Sequence, residues 1–419
     1  MWSARAAGGA FSPLDEELGL LPGSFSPFVH QSIVRLGTIM PFPRVPGELT
    51  FQIGVTVSRE TARRLTEGAG EALVEGEEAA LRAVQRRAVP QPEAVAVQQV
   101  SADGAMVPLR KGQWAEVRTV TIGTVELRVG TKGPEAHATD VSSFSRLCGA
   151  EAFIAWATLP LHQRGSERAR VLVAIMDGAG WLQDLVDAHR PGTRVRVSVR
   201  ILDFAHAASY LSQVAQAAFG AGSREAAVWL DHWRPQLKTG DPREVLAAIR
   251  RLPMPTPEGV KVRAQALGYL TKRLAQIRYA DFRAAGYPIG SGMVESGNKL
   301  VVEARLKGAG MHWERGNVNP MVALRGVFCG GRWDATWDRI WGRLRERVAE
   351  RRRRGRERRA AEKAAAGAVE HPVASPTEKR LPPEPKRVVD GRPTADHPWH
   401  HGYDQRALGR ARGRASAKS

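Results

Sequence analysis

The chain is nearly without cysteine. Cys148 and Cys329 are the only two in 419 residues, which excludes a disulfide framework and a multi-cysteine zinc site. No apolar run approaches the ~20 residues needed to cross a bilayer, and no internal repeat is visible. The N-terminus, MWSARAAGGAFSPLDEELG, lacks an apolar signal core because acids follow at once, so the expected location is the cytoplasm. Acids are also in short supply: 43 Asp and Glu stand against 62 Lys and Arg, a net charge of +19 with a pI near 10.7. That surplus favours a polyanionic partner, nucleic acid first and an acidic membrane surface second. What is plentiful is apolar. At 43% hydrophobic the chain can bury a sizeable core, and its length suits two or three domains.

Residues 1–90 read as a small helical region. The pattern ELTFQIGVTVSRETARRLTEGAGEAL predicts a helix, a turn at Gly54 and a second helix capped by Ser58, with Ala62, Leu65 and Ala69 at helical spacing. Arg59, Arg63 and Arg64 fall on or near its exposed side. The pair is either a helix-turn-helix that enters a major groove or a two-helix cap over a core. Residues 91–341 read as a mixed α/β domain. AVAVQQVSADGAMVPL predicts a strand ending at Asp103-Gly104, and WAEVRTVTIGTVELRV a strand pair around Gly123, giving an antiparallel meander. RARVLVAIMDGAGWLQDLV predicts a buried strand with Asp177 at its carboxyl end, then a helix. A second strand ends near Leu202, before a helix through Phe219. An all-α stretch over about 215–285 follows, with Trp229 and Trp233 expected in its core. Residues 342–419 form a basic tail, with 21 Lys and Arg against 10 Asp and Glu. It is either a solvated helix face with a disordered end or an arm for nucleic acid.

A meander, then strand–helix units, suits an α/β sheet with an antiparallel edge, whose sites gather at the carboxyl ends of strands. Asp103 and Asp177 both precede a glycine there. Each alone is more often a turn. A third acid, Glu295, lies in YPIGSGMVESGNKLVVEARLKGAGMHW, a segment that then turns basic. A capping box from Ser291 would put its acid at Val294, one position early. On a helical wheel Val294, Val301 and Ala304 share one side, whereas Glu295, Asn298 and Lys299 share another. Three carboxylates from separate elements are what two-metal phosphodiester chemistry needs, and Mg²⁺ suits all-oxygen ligands.

The same segment closely resembles the ISKra type of insertion-sequence transposases, a family related to the Mutator-like superfamily. SADGAMVPLRKGQWAEVRTVTIG, MDGAGWLQDLV, ILDFAHAASYL and the late PTADHPWHH are similar to that family too, so the resemblance spans nearly the whole chain from about Phe11. It implies an RNase H-like DDE domain, with Asp103, Asp177 and Glu295 as catalytic triad and metal ligands. Asp203 and His206 match a supporting Asp-x-x-His motif. Asp203 also ends a strand and competes for the place of second acid; the motif favours Asp177. The stretch between His206 and Glu295 becomes an all-α insertion. The implied activity is a DNA transposase that binds element ends, cuts them with Mg²⁺ or Mn²⁺ and joins the freed 3′-hydroxyl to target DNA, as a homo-oligomer on double-stranded DNA. Lys299, Arg305 and Lys307 would hold phosphates, and Trp313 would stack on a base or, as the commoner role, pack. Relatives often carry a cysteine-rich, zinc-binding start before the F-x-P-L-D-E-x-L-G-L-L stretch. Here a short cysteine-free leader precedes it, so the chain is expected to begin late relative to them. The rival readings are a structure-directed nuclease of the same fold and a non-catalytic DNA-binding protein derived from a transposase.

Overall fold

A computed structural model describes residues 25–90, 95–130, 133–188 and 197–367, with single positions at 21 and 93 and dipeptides at 388–389 and 392–393. Residues 11–20 and most of PTADHPWHH lie outside the described residues. The chain divides into two compact units, Met1–Arg353 and Arg354–Ser419.

Five strands form one mixed sheet in the order β3-β2-β1-β4-β5. β1 (Val97–Pro108), β2 (Trp114–Gly130) and β3 (Gly133–Arg146) make the expected antiparallel meander, and β4 (Val171–Met176) and β5 (Val197–Leu202) continue parallel to β1. Two expected breaks are absent. Asp103-Gly104 does not end β1; the strand continues to Pro108 in register with β2. Gly104 is there because a Cβ would meet the Glu116 Oε1 that crosses it, and not because the chain turns. Gly123 likewise lies inside one long β2, at a register shift between Ile122 and Thr124, where a Cβ would press on Met293 Sδ at 3.0 Å. Glycine inside a strand marks a bulge or a close neighbour as readily as a turn. The third strand of the meander is therefore Gly133–Arg146, whose polar sequence has no valine alternation.

Alternation along the strands sorts two faces. Val100, Ala102, Val120, Ile122, Leu172, Ala174 and Met176 pack under α4 (Ala150–Gln163) and α5 (Gly180–Ala188). On the opposite face Val173, Ile175 and Ile201 pack under α6 (Phe204–Phe219), α8 (Pro242–Arg251) and α9 (Pro257–Lys272). Together with α7 (Arg224–Thr239) and α10 (Tyr279–Ala284) these make the expected all-helical stretch. Trp229 and Trp233, expected in its core, pack against this cluster and are partly buried. Further along the same face, Ala105, Val107 and Val117 pack under α11 (Gly292–Gly297), a π-helical turn (Asn298–Glu303), α12 (Ala304–Leu306) and α13 (Arg315–Cys329). Two helical groups thus share one sheet face, and the polar residues of β1 lie where they meet.

α1 (Pro27–Ile39), α2 (Val45–Ile53) and α3 (Arg59–Gln85) precede the sheet. The helix–turn–helix outline is as expected: Gly54 closes α2 at φ 69°, and the Ser58 side chain accepts from Thr61 N to open α3. Yet α3 runs 27 residues, and its Ala69, Ala72 and Leu73 pack on Ala323, Leu324 and Val327 of α13. A Cβ on Gly70 would meet Pro320 O at 2.5 Å. Packing therefore crosses the boundary expected near residue 90. The boundary expected at 341 falls inside α14 (Trp333–Gly367), whose Trp333, Trp337 and Ile340 join the same cluster. Among the described residues no helix is long and apolar enough to cross a membrane.

Candidate active site

The β1–β4 ladder reaches Ser101↔Ile175 and the β4–β5 ladder reaches Met176↔Leu202. Carried on by two residues and by one, these registers set Asp103, Asp177 and Asp203 level on three neighbouring parallel strands. Asp203 N donates to Met176 O at 2.8 Å, continuing the second ladder. Parallel partners point to one face, so all three acids lie on the face where the two helical groups meet.

Asp103 is half-buried. Its Oδ1 accepts from Gly104 N at 2.7 Å and its Oδ2 from Asn298 Nδ2 at 3.1 Å. Burial pushes its carboxyl above the usual range, with the Asp177 charge adding to the rise and those two hydrogen bonds opposing it. Across the sheet from it stand small hydroxyls: Thr119 and Ser145 bond to each other at 2.8 Å, and Thr121 lies opposite Ser101. Small side chains let the next helix come close. A Cβ on Gly297 of α11 would lie 2.8 Å from Thr121 and 3.0 Å from Ser143.

Asp177 follows β4 directly, as expected. Its Oδ1 accepts from Ala179 N at 2.8 Å, and Gly178 takes φ 85° to make the turn. Asp203 is built differently. Its Oδ1 caps α6 by accepting from Ala205 N at 2.9 Å, and its Oδ2 accepts from Ser291 Oγ at 2.9 Å. It is only 7% exposed, with both oxygens engaged. His206 lies one turn into α6, its ring 5.5 Å from Tyr210 and 5.8 Å from Tyr269.

Glu295 lies in α11, exposed, with Oε1 2.6 Å from Lys299 Nζ, and that ammonium lowers its pKa. Three residues further, at the start of the π-helical turn, is the Asn298 that holds Asp103. Residues three apart share a helix face, so Glu295 stands one turn from Asp103's partner. π-Turns inside helices often re-aim side chains at functional sites. Asn298 is 5% exposed, and its Oδ1 is a buried acceptor without a hydrogen-bond partner. An unpartnered amide oxygen on the residue that holds Asp103 is a hard oxygen donor, of the kind that Mg²⁺ or Mn²⁺ takes. Among the described residues no group of three His, Cys, Asp or Glu is gathered tightly enough to hold a metal, and Glu295 is paired with Lys299. The sequence reading put Asn298 on Glu295's side of the wheel without giving it a task, and that spacing was the available signal.

The basic residues divide. Arg59 and Arg64 are exposed on α3, whereas Arg63 is tied to Glu60 at 2.5 Å and Glu67 at 2.6 Å. Lys299 pairs with Glu295, and Lys307 pairs with Glu303 at 2.6 Å. Arg305 is a correction. Expected to hold a phosphate, it is 2% exposed and donates Nε and Nη2 to Gly37 O at 3.2 and 3.1 Å. Its guanidinium lies over Phe42 at 4.8 Å and Trp313 at 5.1 Å, and burial lowers its pKa to about 10. Trp313 packs, with Nε1 donating to Leu306 O at 3.1 Å.

A cavity of about 650 Å³ lies on the other side of α11, lined by Gln99, Lys238, Arg283, Tyr287, Met293 and Leu300 among others. It touches none of the four acids. In comparison with known proteins, no family model matches the chain and no curated protein matches it.

Proposed function

We propose that the chain is a DNA transposase with an RNase H-like catalytic domain that cuts and joins DNA by phosphoryl transfer. The observation that carries this reading is the pair Asp103–Asp177, level on neighbouring strands and coupled in charge, with the Glu295–Asn298 helix laid beside it. The mixed sheet with an all-helical insertion before that helix supports the same reading. So does the charge of +19, which favours double-stranded DNA as partner.

Asp103, Asp177 and Glu295 would hold Mg²⁺ or Mn²⁺, with Asn298 turning Asp103 toward it. When bound, such ions stabilise charge on the attacking and leaving oxygens of an in-line displacement. The chain's own residues aim these carboxylates: Gly104 N and Asn298 hold Asp103, and Ala179 N holds Asp177. Exposed Arg59 and Arg64 and the C-terminal basic run would bind phosphates outside the site. A homo-oligomer acting on DNA in the cytoplasm is part of the same proposal.

The test is a strand-transfer assay on labelled DNA from either side of this reading frame. Asp103→Ala, Asp177→Ala and Glu295→Ala should each all but abolish metal-dependent cleavage, a loss of about a hundred- to a thousandfold, while DNA affinity holds or rises as negative charge is removed. Cleavage without joining would replace the transposase by a nuclease. Full activity in excess chelator would end the metal mechanism. Loss of metal-dependent cleavage in Asp203→Ala, but not in Asp177→Ala, would exchange those two roles.

A further inference from the structure

The Asp177-Gly178 turn is held from the helical insertion. Tyr269 on α9 and Arg273 at the C-cap of that helix, four residues apart, reach it across more than 90 residues of chain. The Tyr269 hydroxyl donates to Asp177 O, and Arg273 Nη2 donates to Gly178 O at 2.8 Å. The turn is shaped to receive them: a Cβ on Gly178 would stand 2.3 Å from the Tyr269 hydroxyl and 2.8 Å from Arg273 Nε. Arg273 lies over the Tyr269 ring at 3.8 Å, and Tyr210 stacks on the same ring at 4.4 Å. The His206 ring abuts both tyrosines. Burial pushes the Tyr269 hydroxyl up to about 12, so it remains a donor at neutral pH.

We propose that Tyr269 and Arg273 are positioning residues for the Asp177 carboxylate, so that the all-helical insertion sets the affinity of the site for a divalent cation. The inference rests on the reading of Asp177 as a metal ligand. A carboxylate is aimed by its own backbone as much as by the groups it touches. Here Ala179 N holds Oδ1 from one side, and two side chains hold the carbonyls at 177 and 178 from the other. Without them the turn could swing about Gly178, where the backbone is least restrained. The Asp203-x-x-His206 pattern acquires a task on this account: Asp203 caps α6, and that cap delivers His206 and Tyr210 against the Tyr269 ring.

A purely structural role makes a different forecast, and a second tyrosine separates the two. Tyr279 makes the same kind of bond one strand over, its hydroxyl donating to Leu202 O at 2.8 Å beside Asp203. The experiment measures Mn²⁺ binding to the full chain by electron paramagnetic resonance, and Mn²⁺-dependent nicking of supercoiled plasmid, in Tyr269→Phe, Arg273→Lys and Tyr279→Phe. Outer partners of metal ligands typically govern affinity by about 10–100-fold. Tyr269→Phe and Arg273→Lys are expected to weaken Mn²⁺ binding, and to raise the Mn²⁺ needed for half-maximal nicking, by about tenfold or more. Plasmid affinity should not change. Tyr279→Phe is expected to bind Mn²⁺ as the parent does, whatever it does to Tm. Parent-like Mn²⁺ binding in both Tyr269→Phe and Arg273→Lys overturns the proposal and leaves the function standing. Equal weakening in Tyr279→Phe also overturns it, because general loosening then explains the effect. A parent protein that neither binds Mn²⁺ nor nicks DNA sinks both this inference and the function beneath it.

Discussion

Asp103, a metal ligand on the proposed function, works against the fold that carries it. Burial and the neighbouring Asp177 both raise its carboxyl pKa, so at neutral pH the ionised form is held at a cost that the unfolded chain does not bear. For an acid raised on folding, the penalty is complete above the folded pKa and vanishes as pH falls below the unfolded value. Asp103→Asn removes the charge and keeps a similar shape. In chelator at pH 7 it should raise Tm in calorimetry while ending cleavage; a lower Tm would mean that the charge is already compensated in the free protein. Arg305 is the opposite case. With Gly37 O and two aromatic rings as its partners, Arg305→Ala should destabilise by about 2–4 kcal/mol in denaturant titrations, as loss of a buried, hydrogen-bonded side chain does. DNA affinity of the folded fraction should not change, and a selective loss of affinity would restore its phosphate role. The reason the sequence misled about the surroundings of Arg305 and not about where Asp177 lies is distance. Asp177 is announced by its own strand and the glycine after it, whereas the partner of Arg305 lies 268 residues away.

At the scale of elements, the helices and parallel strands were legible because their signals are local: the Ser58 cap, the glycine at 54, the valine-rich runs before Asp177 and Asp203. The meander was legible in kind but not in extent. β2 and β3 are ordered by each other and by the helices over them, so neither Gly123 nor the polar run of β3 reveals a long strand. The π-turn at Asn298 is equally silent in sequence. One junction between elements gives a pH prediction. His30 of α1 is buried against the Trp337 and Trp341 rings of α14, at 6.2 and 5.2 Å, and its Nε2 has no hydrogen-bond partner. Burial first, and the Arg64 charge second, lower its pKa from 6.5 to about 4. A histidine held neutral in the fold gains protons more readily when unfolded. Stability should therefore fall as pH drops from 6.5 toward 4 and level off below, by about 3 kcal/mol at most from this group. His30→Leu should flatten that limb of the stability–pH curve; an unchanged slope would mean that His30 protonates without leaving its pocket.

At the scale of the whole molecule the question is where the surplus charge acts. The first part of the basic run belongs to the fold: Arg347 bonds Glu75 at 2.6 Å and donates to Gly68 O at 3.1 Å on α3, and Leu344 packs beside the tryptophans. Cutting after Trp341 would strip these contacts and confuse folding with binding. The division after Arg353 is the cleaner cut. It removes 15 Lys and Arg against eight Asp and Glu, a net +7 of the total +19. Each basic side chain that neutralises a phosphate releases a counterion, and log affinity falls with log salt at a slope of about −0.9 per contact. If the tail lies on DNA, the shortened chain should bind every duplex more weakly and with a salt slope shallower by several such units. On the transposase proposal, preference for the element ends should survive, because phosphate contacts carry no base information and the α2–α3 pair retains its exposed Arg59 and Arg64. An unchanged slope in fluorescence anisotropy would make the run a solvated helix face. A slope that changes together with lost end preference would move sequence recognition from α2–α3 into the tail.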